Sequence, residues 1–218
     1  MNWSQPVDLY CERLDPSFWA EPLNAVTNIS FLLAAAVAFY QWRRAGKDWA
    51  TDWPVAALIG ITAIIGIGSF IFHTVATRGA GLFDTVPIAV FICGYLLLAL
   101  QRLLGLSGRT ALGVLAVFIA ASFIEGRLVP AGALNGSHAY LPAYAALVIV
   151  GWLTSDLKAR QFLLSAAVVF AVSIFFRTLD QGICGALPVG THFLWHLLNG
   201  LVLYLALRAV MVPRLPAL

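Results

Sequence analysis

The sequence predicts an all-α, polytopic membrane protein: a bundle of seven transmembrane helices that forms a single domain over residues 1–218. Hydrophobic residues make up 61% of the chain, charged residues only 11%, and the mean hydropathy is +0.89. A soluble domain carries about 25% charged residues. Apolar runs of about 20 residues also recur along the chain, and each is long enough to cross a bilayer as a helix.

The apolar runs define seven spans. They are continuous rather than alternating, which favours helices over the strands of a membrane barrel. The fourth run is the weakest, because it is short and is followed by charged residues and a proline. The predicted spans cover residues 24–42, 55–75, 82–103, 110–126, 139–154, 161–179 and 191–211.

The basic residues predict how the bundle is oriented. With the N-terminus outside, the outer segments carry only four arginines, whereas nine basic residues face the cytoplasm. This positive-inside pattern predicts an outer N-terminus and a cytoplasmic C-terminus. The arginine-rich, lysine-poor composition suggests a bacterial inner membrane. The basic residues form no stripe of the kind that binds nucleic acid, so a nucleic-acid partner is not predicted. The cytoplasmic set is Arg43, Arg44, Lys47, Arg102, Arg109, Lys158, Arg160, Arg208 and Arg214.

Five polar side chains interrupt the apolar spans at one depth. Ser69 and His73 lie near the end of the second span, and Asp84 opens the third. His192 and His196 open the seventh. In the predicted topology all five lie near the outer face of the membrane. Because polar groups are costly within a bilayer, this gathering predicts a functional site.

The types and spacing of these residues point to a metal hydrolase. His192 and His196 are four residues apart and share one helix face, so both can bind one ion, with His73 as a third ligand. Three protein ligands with one open position are typical of catalytic zinc, whereas structural zinc sites use four. Asp84 could accept the proton of the attacking water, and Ser69 could hydrogen-bond that water or a developing oxyanion.

Each of these residues also has a purely structural alternative. A histidine near a helix end can lie in the headgroup region, Asp84 could cap the third span, and Ser69 could bond to its own helix. A seven-helix receptor with structural zinc is the alternative at the level of function. Asp84 argues against it, because a structural zinc site needs no carboxylate beside an open position.

Several motifs are similar to those of the alkaline ceramidase family, over the whole chain and in order. They are "YCER", "EPLNAVTN", "SFIFHTVATRGAGLFDTVPI" and "HFLWH". That family belongs to a larger group of seven-helix membrane hydrolases that includes adiponectin-receptor-like proteins. The resemblance implies a zinc amidase that cleaves the N-acyl bond of ceramide-like membrane lipids, releasing a fatty acid and a long-chain base. Another lipid hydrolase, acting on phospholipid esters with the same site, is the nearest alternative.

The resemblance also assigns roles by residue. It implies zinc binding by His73, His192 and His196, proton transfer by Asp84 and polar support by Ser69.

The resemblance further raises the possibility of a calcium ion near the N-terminus. Animal relatives bind calcium with a D-W-x-E-x-N cluster and a later Glu, but here the Asp, Trp and Asn positions are Leu9, Tyr10 and Leu14. The alternative is an acidic segment that caps the first helix. The candidate calcium ligands are Asp8, Glu12, Asp15 and Glu21.

The three cysteines allow one disulfide. Cys93 lies within a span, whereas Cys11 and Cys184 both fall on the predicted outer side. A bond between these two would persist in an oxidising compartment. Spacing alone does not establish that their geometry permits it.

Overall fold

The computed structural model describes residues 2–212, and seven helical spans in that part of the chain are long and apolar enough to cross a membrane. The prediction of a seven-span, all-α protein is confirmed. Arg214, one of the predicted cytoplasmic residues, lies outside the described residues. The helices are α1 (Pro22–Thr27), α2 (Ile29–Arg44), α3 (Trp49–Val75), α4 (Arg78–Arg102), α5 (Gly108–Leu128), α6 (Leu141–Leu153), α7 (Leu157–Leu179) and α8 (His192–Met211).

Three spans are composite, and the sixth joins α7 to a 3-10 segment, Asp180–Ile183. The first consists of α1 and α2, which meet at Asn28. The fifth combines a 3-10 segment, Ala133–Tyr140, with α6. The observed spans begin up to six residues before the predicted ones, because polar first turns are not detected by a hydropathy pattern, and helix ends also fray.

Polar caps set several helix starts outside the predicted runs. Asp48 and Thr51 form a reciprocal capping box at the start of α3, and the Thr77 hydroxyl accepts a hydrogen bond from the Ala80 N–H at the start of α4. These caps satisfy donors that the first helical turn cannot pair internally. Because α4 begins at Arg78, Asp84 lies within the helix, and the alternative that it caps this span is wrong.

The bundle core is built around α3 and α8. Helix α8 packs against α2 and α7, and α3 packs against α4 and α2. Helices α3 and α4 meet almost backbone to backbone: a Cβ at Gly68 would lie 1.9 Å from the carbonyl oxygen of Phe83. Small residues permit such approaches between membrane helices. This contact brings Ser69 beside Asp84.

At the end of the bundle remote from the histidines, a partly buried ion pair links four spans. The Asp52 carboxylate accepts hydrogen bonds from Arg102 Nη2 at 2.6 Å and from the Trp42 indole at 3.3 Å. Arg102 Nη1 also donates to the carbonyl oxygen of Val210 at 3.0 Å. The four residues belong to α3, α4, α2 and α8, so one pair links the helices that enclose the core.

At the opposite end, Asp180 joins the N-terminal segment to the start of α8. One carboxylate oxygen accepts the backbone N–H groups of Thr191 and His192, and the other accepts that of Cys11. Cys11 and Cys184 form a disulfide at the same place. Gly190 has φ +62°, and a Cβ there would lie 2.1 Å from the Asp180 carboxylate. The N-terminal segment is therefore fixed against the mouth of the bundle.

Breaking the Asp52–Arg102 pair should destabilise the protein. Arg102→Met alone should lower the free energy of unfolding by about 3 kcal/mol, because the Asp52 carboxylate is left buried without its partner. Thermal unfolding in detergent measures this, with Arg109→Met, at an exposed arginine of the same end, as the matched control. Equal melting temperatures for Arg102→Met and Arg109→Met would contradict the prediction.

Candidate metal centre

Three histidines converge in the interior near one end of the bundle. His73 lies in the last turn of α3, His192 is the first residue of α8, and His196 follows one turn later. Their exposed fractions are 1%, 2% and 1%, and their candidate ligand atoms all lie within 4.8 Å of one another. Within residues 2–212 this is the one group of three or more His, Cys, Asp or Glu side chains that could hold a metal ion.

A carboxylate orients His73. Its Nδ1 lies 2.6 Å from Glu21 Oε2, while its buried Nε2 has no hydrogen-bond partner. A proton on Nδ1 donates to Glu21 and leaves the Nε2 lone pair free, which is the usual arrangement behind a metal-binding histidine. Burial raises the pKa of Glu21, but hydrogen bonds from His73, Arg13 and Asn24 outweigh burial and keep it below the ordinary value. Glu21 is therefore charged.

A threonine orients the His196 ring, as Glu21 orients that of His73. The Thr27 hydroxyl donates to the Leu23 carbonyl oxygen at 2.7 Å and lies 3.1 Å from His196 Nδ1. Since the hydroxyl proton is used on Leu23, Thr27 accepts a hydrogen bond from Nδ1–H of His196. The lone pair of the other ring nitrogen then faces the remaining histidines.

His192 completes the group. Its buried Nδ1 has no hydrogen-bond partner, and its ring stacks on Tyr10 with ring centres 3.7 Å apart. Burial raises the pKa of Tyr10, so its phenol stays protonated. Buried polar nitrogens are rarely left unpaired. The orphaned nitrogens of His73 and His192, next to His196, fit a metal ion that binds neutral imidazoles.

A cavity of about 320 Å³ opens beside the histidines, and its wall includes His192, Asp84 and Arg177. The Ser69 side chain is placed to hydrogen-bond the Asp84 carboxyl group. The structure thus brings together all five residues that the sequence singled out. Their roles in a reaction remain predictions.

Arg177 is the cation held within this cavity. Its guanidinium lies over the adjacent rings of Tyr140 and Trp195, 5.4 and 5.5 Å from their centres. Nη1 donates to the Asn135 carbonyl oxygen at 2.7 Å and to the Ser137 hydroxyl at 3.0 Å. In the described part of the chain no carboxylate forms an ion pair with Arg177. A rigid cation therefore faces the space next to the histidines.

A second, apolar cavity lies deeper in the bundle. Tyr140 and Trp195 line both cavities, so they stand at the junction between them. Residues from all seven spans line this apolar cavity, and they include Phe91, Phe118 and Leu147. The geometry suits a ligand with a polar group at the histidines and a hydrocarbon chain between the helices.

The candidate calcium ligands do not gather into one site. Both oxygens of Glu12 accept backbone N–H groups at the start of α1, from Leu23 and Asn24. Burial raises the pKa of Glu12, and these two hydrogen bonds oppose it.

The other three carboxylates are also separated. Glu21 faces His73, Asp8 is exposed, and Asp15 is exposed and accepts the Ser17 N–H. This arrangement favours the capping alternative, in which Glu12 caps the first helix.

Sequence reasoning missed the residues that support the histidines. Thr27 and Asp180 act across 169 and 12 residues, and no local spacing connects them to His196 or His192. Their one visible signal is that each is a polar residue next to an apolar span. The fourth histidine, His138, pairs with Glu125 at 2.7 Å and lies outside the metal-binding group.

The fold and the site together define a multi-pass membrane protein with a buried three-histidine centre. A model of the family described as Ceramidase matches residues 10–216, so the chain belongs to the ceramidase family. Membership supports a hydrolase that acts on ceramide-like lipids. A search of curated proteins finds no match.

Removing the Thr27 hydroxyl should weaken metal binding. Thr27→Val should lower metal affinity about tenfold, because His196 loses the partner that fixes its tautomer and ring orientation. Competition with a chromophoric chelator measures the affinity. Thr62→Val is the matched control, since Thr62 is a buried threonine that also bonds a carbonyl oxygen four residues earlier but faces no histidine. Equal affinities in the two variants would count against the arrangement.

Proposed function

We propose that this protein is a zinc-dependent membrane amidase that cleaves the N-acyl amide bond of ceramide-like lipids, giving a fatty acid and a long-chain base. The observation that carries the proposal is the convergence of three buried histidines with Asp84 at one cavity, in a chain of the ceramidase family.

The donor set favours zinc over a hard cation. His73, His192 and His196 offer neutral imidazole nitrogens, whereas calcium and magnesium prefer oxygen. Three ligands leave a position open for substrate, and His192 faces the 320 Å³ cavity. When bound, zinc supplies Lewis acidity to water and to the substrate carbonyl.

Asp84 is the residue placed to move protons. As water attacks the amide carbonyl carbon, the Asp84 carboxylate takes one of its protons and then delivers it to the amide nitrogen. The C–N bond breaks, and the products are a carboxylic acid and an amine. Ser69, next to Asp84, is placed to hold the carboxyl group in position.

The lipid is oriented by the two cavities. Its acyl chain occupies the apolar cavity between the helices, and the amide lies at the junction formed by Tyr140 and Trp195. Arg177, which lies over these two rings, binds polar oxygen atoms of the headgroup. Substrate enters sideways from the bilayer.

The charge pattern supports a site near the outer face. The histidines and the N-terminal segment share one end of the bundle, and most basic residues lie at the other. With the positive-inside pattern, this supports a reaction near the outer face of what we infer to be a bacterial inner membrane. A disulfide at the same end is consistent with an oxidising compartment.

The second candidate function is hydrolysis of phospholipid esters. The observation that favours it is Arg177, a cation that forms no ion pair with any carboxylate in residues 2–212 and would also suit a phosphate. Reconstituted protein supplied with ceramide and with phosphatidylcholine separates the two by mass spectrometry. Release of a long-chain base supports the amidase, whereas lysophospholipid without long-chain base supports the esterase.

Purified protein should contain one zinc ion per chain. His196→Ala should lose it, because one of three ligands is removed, whereas His138→Ala should retain it as the matched control. Metal analysis by mass spectrometry measures the zinc content of both variants. Absence of zinc, or zinc content unchanged in His196→Ala, would contradict the proposed metal.

Asp84→Asn should retain the metal and lose most of the activity. Removing a general base costs about 10²–10⁴-fold in rate, because the amide cannot accept the proton of the water. Turnover of ceramide in proteoliposomes is the measurement, with zinc content measured on the same sample. Asp8→Asn, at an exposed carboxylate without a described partner, is the control. Near-normal turnover in Asp84→Asn would exclude this role.

A further inference from the structure

A buried arginine lies among the carboxylates near the N-terminus. The exposed fraction of Arg13 is 6%. Its Nε donates to Glu21 Oε1 at 2.5 Å, and its Nη2 donates to the carbonyl oxygen of His73 at 3.0 Å. Nη1 donates to the carbonyl oxygens of Asp15 and Ser17 at 3.2 and 3.4 Å. One carboxylate and three carbonyl oxygens therefore surround a single guanidinium.

We propose that Arg13 is the resident cation of this site and replaces a calcium ion. Carboxylate and backbone carbonyl oxygens are the ligands that a hard divalent cation takes. Here the guanidinium occupies the space at which these oxygens point. The candidate calcium ligands do not fit an ion in its presence, because Glu21 and the main chain at Asp15 are already bound by Arg13.

The position of Arg13 explains why a cation is needed. Glu21 is a buried carboxylate, and a buried charge without a partner is strongly destabilising. The His73 carbonyl oxygen lies in the last turn of α3, where carbonyl groups lack helical partners and the helix dipole favours a positive charge. A single side chain neutralises Glu21 and binds the end of α3.

Through Glu21, Arg13 positions the metal-binding imidazole. Arg13 holds one oxygen of Glu21, and the other oxygen holds His73 Nδ1. Arg13 does not contact the reacting atoms and is a positioning residue. Because it is part of the chain, the orientation of His73 is independent of the calcium concentration outside the membrane.

The contacts require the shape of arginine. Its planar fork reaches four oxygens in three directions, whereas a lysine ammonium is a compact charge that cannot span them. Arg13→Lys should therefore retain the charge but lose part of the positioning. Arg13→Ala should vacate the oxygen-lined space and open it to a divalent cation.

The test compares the responses of wild-type protein and variants to calcium. Protein in zinc-containing, calcium-free buffer is titrated with calcium chloride, and the melting temperature and binding heat are measured. Wild-type protein should show neither a shift in melting temperature nor binding heat. Arg13→Ala should melt several degrees lower, and calcium should restore most of that loss. Arg127→Ala, at an exposed arginine, should behave as wild type.

Zinc affinity provides a readout that general loss of stability does not. We expect Arg13→Ala to bind zinc about 10–100-fold more weakly without calcium, because Glu21 no longer holds His73 in place, and Arg13→Lys to fall between the two.

Three results would overturn the proposal. Calcium-dependent stabilisation of wild-type protein would show that Arg13 does not fill the site. If the Arg13→Ala variant has the stability and the zinc affinity of wild-type protein, Arg13 does not position His73. A destabilised variant that calcium does not stabilise would show that the oxygens form no cation site. If Arg13→Ala does not fold, Arg13→Lys and the wild-type titration decide the question.

Discussion

The hydrogen bond between Glu21 and His73 is the interaction on which the candidate centre depends. A buried imidazole can carry its proton on either nitrogen, and only one tautomer leaves the inward lone pair available to a metal. The carboxylate selects that tautomer, but a buried carboxylate is itself costly. Arg13 and Asn24 offset the cost by binding the same group. The N-terminal segment is therefore part of the centre, although it lies outside the spans.

Buried polar groups also need partners around the mouth of the bundle, where backbone N–H groups are buried but lie outside the hydrogen bonding of regular helices. Buried N–H groups there must be paired, and acidic side chains pair them. Glu12 accepts two such groups at the start of α1, and Asp180 accepts two at the start of α8 and one from Cys11. These carboxylates suit helix N-termini because the local dipole is positive. The acidic residue Glu12 of the segment is thus explained by the main chain it pairs with.

The sequence was sufficient for the spans and for the central residues. Hydropathy identifies seven runs because lipid demands long apolar helices, and the shared depth of His73, His192 and His196 predicts that they meet. The supporting residues could not be found in this way, since Glu21 reaches His73 across 52 residues and no period links them. The resemblance raises the possibility of calcium because Glu12 and Glu21 remain at two positions of the family's cluster. The sequence does not reveal that the Arg13 guanidinium lies among these acidic residues.

The link between Cys11 and Cys184 joins residues 173 positions apart, and Asp180 binds the same N-terminal segment. The segment is synthesised first, but its partners and two of the three histidines belong to the last part of the chain. A nascent chain with six inserted helices therefore lacks two of the three histidines. Under the function proposed above, such a chain has no complete site with which to act on the membrane that receives it.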